Sequence, residues 1–293
     1  MIVLATLATL LVQSGDPIAD VLAADAEFPV AVESQQASES LLDCIGPFIE
    51  GAAIICRSAP GTTVSFGDQS AVADADGWLI LGINRDADAE MTLTAQLPSG
   101  ETISQTHEIE QREYDIQRVD GVPPRTVNPP EEALVLIRAQ SRMKAAAYTN
   151  RWDGAGFADG FLPPAEGIIS GVYGSQRVYN GEPRRPHYGL DYANSAGSPV
   201  VAPAAGIVTL ADADMYYEGG LIFIDHGQGF TSAFLHLGAV QVEVGDIVER
   251  GQQIGEIGSG GRATGAHLDW RIKWRNRYID PALVLELDPA SLR

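Results

Sequence analysis

The sequence predicts a mainly β protein in which two β-rich segments are joined by one helix. Three observations lead there. Apolar and polar residues alternate in short runs such as "ETISQTHEI" and "AHLDWRIKW", the period of a half-buried strand. Thirty-one glycines and 17 prolines punctuate those runs, as turns between strands require. One stretch, "EEALVLIRAQSRMKAAAYTNRW", consists of helix formers with acidic residues first and basic ones later, which suits the helix macrodipole.

Residues 1–23 open on the apolar run "MIVLATLATLLV", followed by polar "QSGD". The run is too short to span a bilayer as a helix. It reads as the core of a signal peptide, with "VLA" before Ala24 as a candidate cleavage point, although no basic residue precedes it. Residues 24–42 are rich in Ala, Asp, Glu, Ser and Gln and read as a disordered leader. Across 43–120, "GTTVSF", "GWLILGI", "MTLTAQL" and "ETISQTHEI" predict a small β-sandwich. His107 lies alone in the last of these runs and reads as a surface strand residue. "VPPRTVNPP" breaks the pattern, and residues 129–152 then predict a linking helix of about five or six turns. From 157 to 293, glycine turns separate strand-like runs with little helical periodicity, so this segment is expected to be all-β.

Two cysteines, Cys44 and Cys56, lie close together. In an exported chain they would form a local disulfide; in a cytosolic one they would be buried thiols. Thirty-nine acidic against 19 basic residues give a net charge of -20. That balance argues against nucleic acid, which needs clustered Lys and Arg, and against an anionic membrane surface. No later stretch is apolar enough to span a bilayer, so stable membrane insertion is not expected.

Four of the five histidines fall in the last segment. "PHYGLDYA" carries His187 and Asp191, and "GAHLDW" carries His267 and Asp269; each pair shares one face of a strand at period two. "AFLHL" adds His236, and "IDHG" adds Asp225 and His226. Imidazoles and carboxylates projecting from one sheet face are what a catalytic zinc ion needs: three protein ligands, an open position, and bases nearby.

Residues from about 165 to 285 resemble the lysostaphin-type (LytM-like) zinc metallopeptidases in their Gram-negative envelope form, which cleave peptide bonds in bacterial peptidoglycan. The motifs of the resemblance are H-x-x-x-D at His187 and Asp191, His-Leu at His236, and H-x-H at His267, with "GSPVVAPAAGIV", "GQQIGEIGSGGRATGAHL" and "IDPALVLE" as spacers in order. The resemblance implies a lysostaphin-like fold of antiparallel sheets, His187 and Asp191 as metal ligands, and His236 and His267 as the catalytic pair. His226 falls on a position that the resemblance makes structural.

The sequence departs from the pattern at Asp269, where the third ligand is a histidine. An Asp Oδ lies as many bonds beyond Cβ as the Nδ1 of histidine, and carboxylate and imidazole bind zinc at similar distances, about 2.0–2.2 Å. Asp269 is therefore expected to keep the ligand role, and Asp269→His to tighten zinc binding. Two carboxylates make a harder site, which admits Mn²⁺ beside Zn²⁺. Asn180, Arg184 and Tyr188, next to the first ligand pair, and Arg262 are candidates to line a substrate groove.

The expected function is metal-dependent cleavage of peptidoglycan cross-links in the periplasm or another extracytoplasmic space. A second expectation keeps the fold but not the chemistry: a weak or inactive domain that binds peptidoglycan and activates another wall hydrolase; a wall hydrolase or a divisome protein is the kind of partner expected.

Overall fold

Two antiparallel sheets arise from the first β-rich segment. Strands β1 (Leu42–Ile45), β2 (Ala53–Ser58) and β5 (Trp78–Gly82) pair in the order β1-β2-β5. Strands β3 (Thr63–Phe66), β4 (Gln69–Val72), β6 (Glu90–Gln96) and β7 (Thr102–Glu108) pair in the order β4-β3-β6-β7. The computed structural model describes residues 41–119, 129–149, 151–179 and 181–293. The expected signal peptide, nearly all of the expected leader, and Asn180 lie outside the described residues.

All of β5 and the first four residues of β2 are buried, so both read as continuous apolar runs. Strand β6 alternates more openly. Cys44 and Cys56 are direct partners across β1 and β2, and they form a disulfide with their Cα atoms 4.0 Å apart.

Strand β8 (Ile116–Val119) ends the first segment, and the linking helix is α1 (Leu134–Ala147). The helix follows a 3-10 turn at Glu131–Ala133 and runs for 14 residues, about four turns at 3.6 residues each rather than five or six. Its end is set by the tertiary structure. The Thr149 hydroxyl donates back to Ala146 O, and the Trp152 N–H donates to buried Asp225, drawing the chain away from the helix axis.

The remaining strands are β9 (Ile168–Gly171), β10 (Gln176–Tyr179), β11 (Glu182–Pro183), β12 (Gly189–Ala193), β13 (Pro199–Val201) and β14 (Gly206–Met215). They continue with β15 (Gly219–Asp225), β16 (Phe230–Val240), β17 (Ile247–Val248), β18 (Gln253–Ile257), β19 (His267–Trp274) and β20 (Arg277–Ile279). Ten of these form one sheet with the main path β17-β14-β15-β16-β19-β12-β9. A short helix, α2 (Pro281–Val284), interrupts the all-β pattern; Asp280 caps it by accepting from Ala282 N, and proline stands at its start.

Strand β19 divides the molecule. Its even-numbered residues Leu268, Trp270, Ile272 and Trp274 are fully buried in a core that also contains Ile54, Leu79 and Leu81 of the first sheet. Gly82 of β5 lies so close to this layer that a Cβ there would meet Ile279 at 2.7 Å. The odd-numbered residues His267, Asp269, Arg271 and Lys273 take the opposite face. Beyond them on that side lies a smaller apolar cluster of Leu210, Leu221, Phe223, Ala233 and Leu235, covered by Ala147 and Tyr148 at the end of α1.

Candidate metal centre

Asp191 on β12 and Asp269 on β19 are direct partners in the antiparallel ladder. Like charges at that position repel one another. His187 lies two residues before β12 and is held in place by its backbone, with its N–H on Ser175 O and its C=O accepting from Gly174 N, each at 2.8 Å. One ligand atom each from His187, Asp191 and Asp269 lie within 4.8 Å of one another.

His187 Nε2 and Asp191 Oδ1 face each other at 3.1 Å, yet both are buried without a well-formed hydrogen bond. Buried polar atoms left in this state are rare and point to a missing partner. Two glycines make room for the carboxylates. A Cβ on Gly171 would lie 2.2 Å from Asp191 Oδ2, and one on Gly189 would lie 2.1 Å from Asp269 Oδ1. An imidazole nitrogen beside two carboxylates is a donor set that suits a divalent cation.

Asp269 already has one cationic partner. Arg271, two residues along the same face, donates from Nε to Oδ1 at 3.0 Å and Oδ2 at 3.1 Å, and from Nη2 to Oδ2 at 2.5 Å. Burial alone would raise the carboxyl's pKa, but the charge and hydrogen bonds of Arg271 outweigh it and hold Asp269 below the usual range. At His187 burial disfavours the cation, and the two carboxylates reverse that, so its pKa is raised.

His236 and His267 stand side by side with ring centroids 4.8 Å apart. Each ring has its Nδ1 against a backbone carbonyl at 2.9 Å: Gly260 O for His236 and Gly265 O for His267. That leaves Nε2 of each as the atom available for chemistry. Burial pushes the His236 pKa down, so the ring is neutral at pH 7. His236 also has φ 63°, in the left-handed region that non-glycine residues seldom occupy and that often marks functional sites. It sits at a register shift in the β15–β16 pairing, fixed by His236 N to Glu218 O at 2.7 Å and Gly258 N to His236 O at 2.9 Å.

His226 is engaged at both ring nitrogens, with Ala205 O at 2.9 Å and Ser232 Oγ at 2.8 Å. His107 stacks flat on Phe48 at 3.8 Å. Tyr188 stacks on Tyr278 at 4.1 Å, with the Arg185 guanidinium 5.8 Å from its ring centre. Arg184 reaches Glu182 at 3.5 Å, and Arg262 lies over Tyr217 at 4.9 Å. Sequence reasoning passed over Arg271 and Lys273, though period two from Asp269 puts both on its face. It also missed Tyr148, which the fold brings against Phe223 at 4.4 Å and under the Lys273 ammonium, also at 4.4 Å.

A histidine and two opposed carboxylates beside paired imidazoles, on one face of an antiparallel sheet, make a donor set that could hold a divalent metal ion. Residues 185–281 match the profile of Peptidase family M23 and form a domain of that family, of the lysostaphin type. Peptidoglycan DD-endopeptidase ShyA of Vibrio cholerae is 37% identical over 95 residues, which is 32% of this chain and 22% of that protein. DD-carboxypeptidase/endopeptidase Mpg of Neisseria meningitidis is 36% identical over 100 residues, 34% of this chain and 23% of that protein. The chain thus spans under a quarter of the length of these curated relatives. The similarity to a crystal structure from Pseudomonas aeruginosa, described as a peptidase of the M23 family, is broader. It has a TM-score of 0.64 at 26% identity and covers 81% of this chain and 94% of that one.

Proposed function

We propose that the chain is a metal-dependent endopeptidase that hydrolyses peptide cross-links of bacterial peptidoglycan. The observation that carries this reading is the pair of opposed carboxylates, Asp191 and Asp269, beside a buried His187 Nε2 that lacks a well-formed hydrogen bond. His187, Asp191 and Asp269 would hold the ion, and zinc is the ion proposed. The sequence-based case for Mn²⁺ rested on two uncompensated carboxylates, and Arg271 compensates one of them. A bound zinc ion supplies Lewis acidity toward a carbonyl oxygen and lowers the pKa of water.

The chain's own residues would do the rest. His236, neutral at pH 7, takes a proton from the attacking water at Nε2, since its Nδ1 is committed to Gly260 O. His267, 4.8 Å away ring to ring and with its Nδ1–H on Gly265 O, would likewise present Nε2 as an acceptor that orients the attacking water. Tyr188 offers a flat ring edge to a peptide stem, and Arg262 an exposed cation for its carboxylates. The names of the M23 relatives as peptidoglycan DD-endopeptidases support the substrate class. The Cys44–Cys56 disulfide supports an oxidising, extracytoplasmic location such as the periplasm. Among the described residues no helix is long and apolar enough to cross a membrane.

One observation favours a second reading, a domain that binds peptidoglycan and activates another wall hydrolase. The guanidinium of Arg271 already engages both oxygens of Asp269, which would close the centre to an ion. Fragment release from purified peptidoglycan, measured with and without added Zn²⁺, separates the two. Zinc-dependent release supports the enzyme. No release with zinc supplied, together with stimulation of an added wall hydrolase, supports the activator.

A further inference from the structure

We propose that Arg271 sets the charge of the metal centre: the Asp269–Arg271 pair acts as one electrically neutral ligand unit, so a neutral ligand can replace Asp269 without loss of zinc affinity only when the cation at 271 is removed with it. The inference rests on the metalloenzyme reading above and concerns how its third ligand works.

Three observations lead to it. Asp269 is 3% exposed and its charge is opposed directly by Asp191. In so enclosed a place, charge–charge energies are several times larger than in water. The cation that Asp269 has in place is internal to its own strand, at the i+2 position, and engages the carboxylate side-on through Nε and Nη2. That planar two-nitrogen geometry is specific to arginine and holds the carboxylate in one orientation. Finally, Gly189 leaves space against Asp269 Oδ1, and its absent Cβ would also press on Arg271 Cγ at 3.0 Å. The bare Cα thus accommodates the carboxylate and the arginine stem as a unit.

The consequence is electrostatic. With Arg271 counted, His187, Asp191 and Asp269 present one net negative charge to an incoming dication. A neutral imidazole at 269 with no arginine at 271 would present the same charge. Changing Asp269 to His while Arg271 remains leaves none, and the ion would then face an unpaired guanidinium. Sequence alone suggests that Asp269→His tightens zinc binding; the presence of Arg271 reverses that sign.

The test is zinc affinity, measured on the purified full-length chain by competition with a chromogenic chelator. Five proteins are compared: wild type, Arg271→Gln, Arg271→Lys, Asp269→His, and the double variant Asp269→His/Arg271→Gln. Removing the guanidinium is expected to tighten zinc binding at least ~10-fold, since an opposing unit charge a few ångströms away is worth more than that at an effective dielectric near 20. Arg271→Lys, which keeps the charge, should stay within a few-fold of wild type. Asp269→His should weaken binding at least ~10-fold, and the double variant should return to within a few-fold of wild type, by the same charge count. If Arg271→Gln does not fold, the comparison of Asp269→His with the double variant still decides.

Asp269→His binding zinc more tightly than wild type, or the double variant no more tightly than Asp269→His, overturns the proposal and leaves the metalloenzyme reading standing. Zinc taken up only by variants lacking Arg271 upholds the arginine's role and sinks the metalloenzyme reading. Zinc taken up by none of the five sinks both.

Discussion

Asp191 and Asp269 face each other directly across β12 and β19, with Asp269 almost fully buried and His187 Nε2 3.1 Å from Asp191 Oδ1. A fold does not ordinarily place two carboxylates this way. Arg271 answers one of them. The other is left with an imidazole whose pKa it helps to raise, and the arrangement makes chemical sense around a cation.

The two paired histidines should separate chemistry from metal binding. His236→Ala and His267→Ala should each keep the zinc content of wild type and lose about 10²–10⁴-fold in peptidoglycan hydrolysis, the usual range for acid–base help. Elemental analysis and muropeptide release, run on the same preparations, check this. Wild-type release by either variant would make that histidine structural.

Backbone strain at His236 predicts a stability signature distinct from catalysis. Its φ of 63° costs on the order of 1–3 kcal/mol for a non-glycine residue. His236→Gly should therefore be no less stable than His236→Ala, and by urea denaturation more stable by roughly 1 kcal/mol. A glycine variant that melts well below the alanine variant would mean that the ring's contacts, not its backbone, dominate.

The glycines behind the carboxylates are expected to act through space rather than conformation. Gly171→Ala and Gly189→Ala would place a methyl 2.2 Å and 2.1 Å from Asp191 Oδ2 and Asp269 Oδ1. Each should weaken zinc binding at least ~10-fold, because a displaced ligand loses its geometry. Chelator competition reads this directly, and unchanged affinity in both would remove the carboxylates from the site.

Stability should also report on His226. Full burial pushes its pKa down to about 4, so the unfolded chain, where histidine titrates near 6.5, binds the proton first. Stability is then full above pH 6.5 and falls as the pH drops toward 4. The loss is on the order of 3 kcal/mol at 1.36 kcal/mol per unit. NMR of the imidazole tests the cause: a His226 titrating near 6.5 in the folded protein would contradict it.

Much of this was legible in the sequence because β19 alternates cleanly. "HLDWRIKW" sends Leu268, Trp270, Ile272 and Trp274 inward and His267, Asp269 and Arg271 to the other face; spacing showed that shared face, and the ligand roles came from the resemblance to the lysostaphin-type peptidases. What spacing could not say is which partner Arg271 chooses. Its side chain is long enough to reach solvent, a substrate or Asp269, and only the fold settles on Asp269. The positive φ of His236 left no mark in "AFLHL", since it follows from a register shift between strands. The shorter α1 has the same kind of cause: Asp225, far along the chain, captures Trp152. The cap of α2 was readable in "DP" at 280–281, an N-cap aspartate followed by proline, and was passed over in a segment taken to be all-β.

The central claim is tested most directly by counting metal. The purified full-length chain, dialysed against Zn²⁺ and then against metal-free buffer, should retain one zinc per molecule by elemental analysis, and Asp191→Ala and Asp269→Ala should each retain none. A wild-type chain that retains no zinc under those conditions, while remaining folded, would contradict the metal centre and leave the Asp269–Arg271 pair as a salt bridge that closes the site.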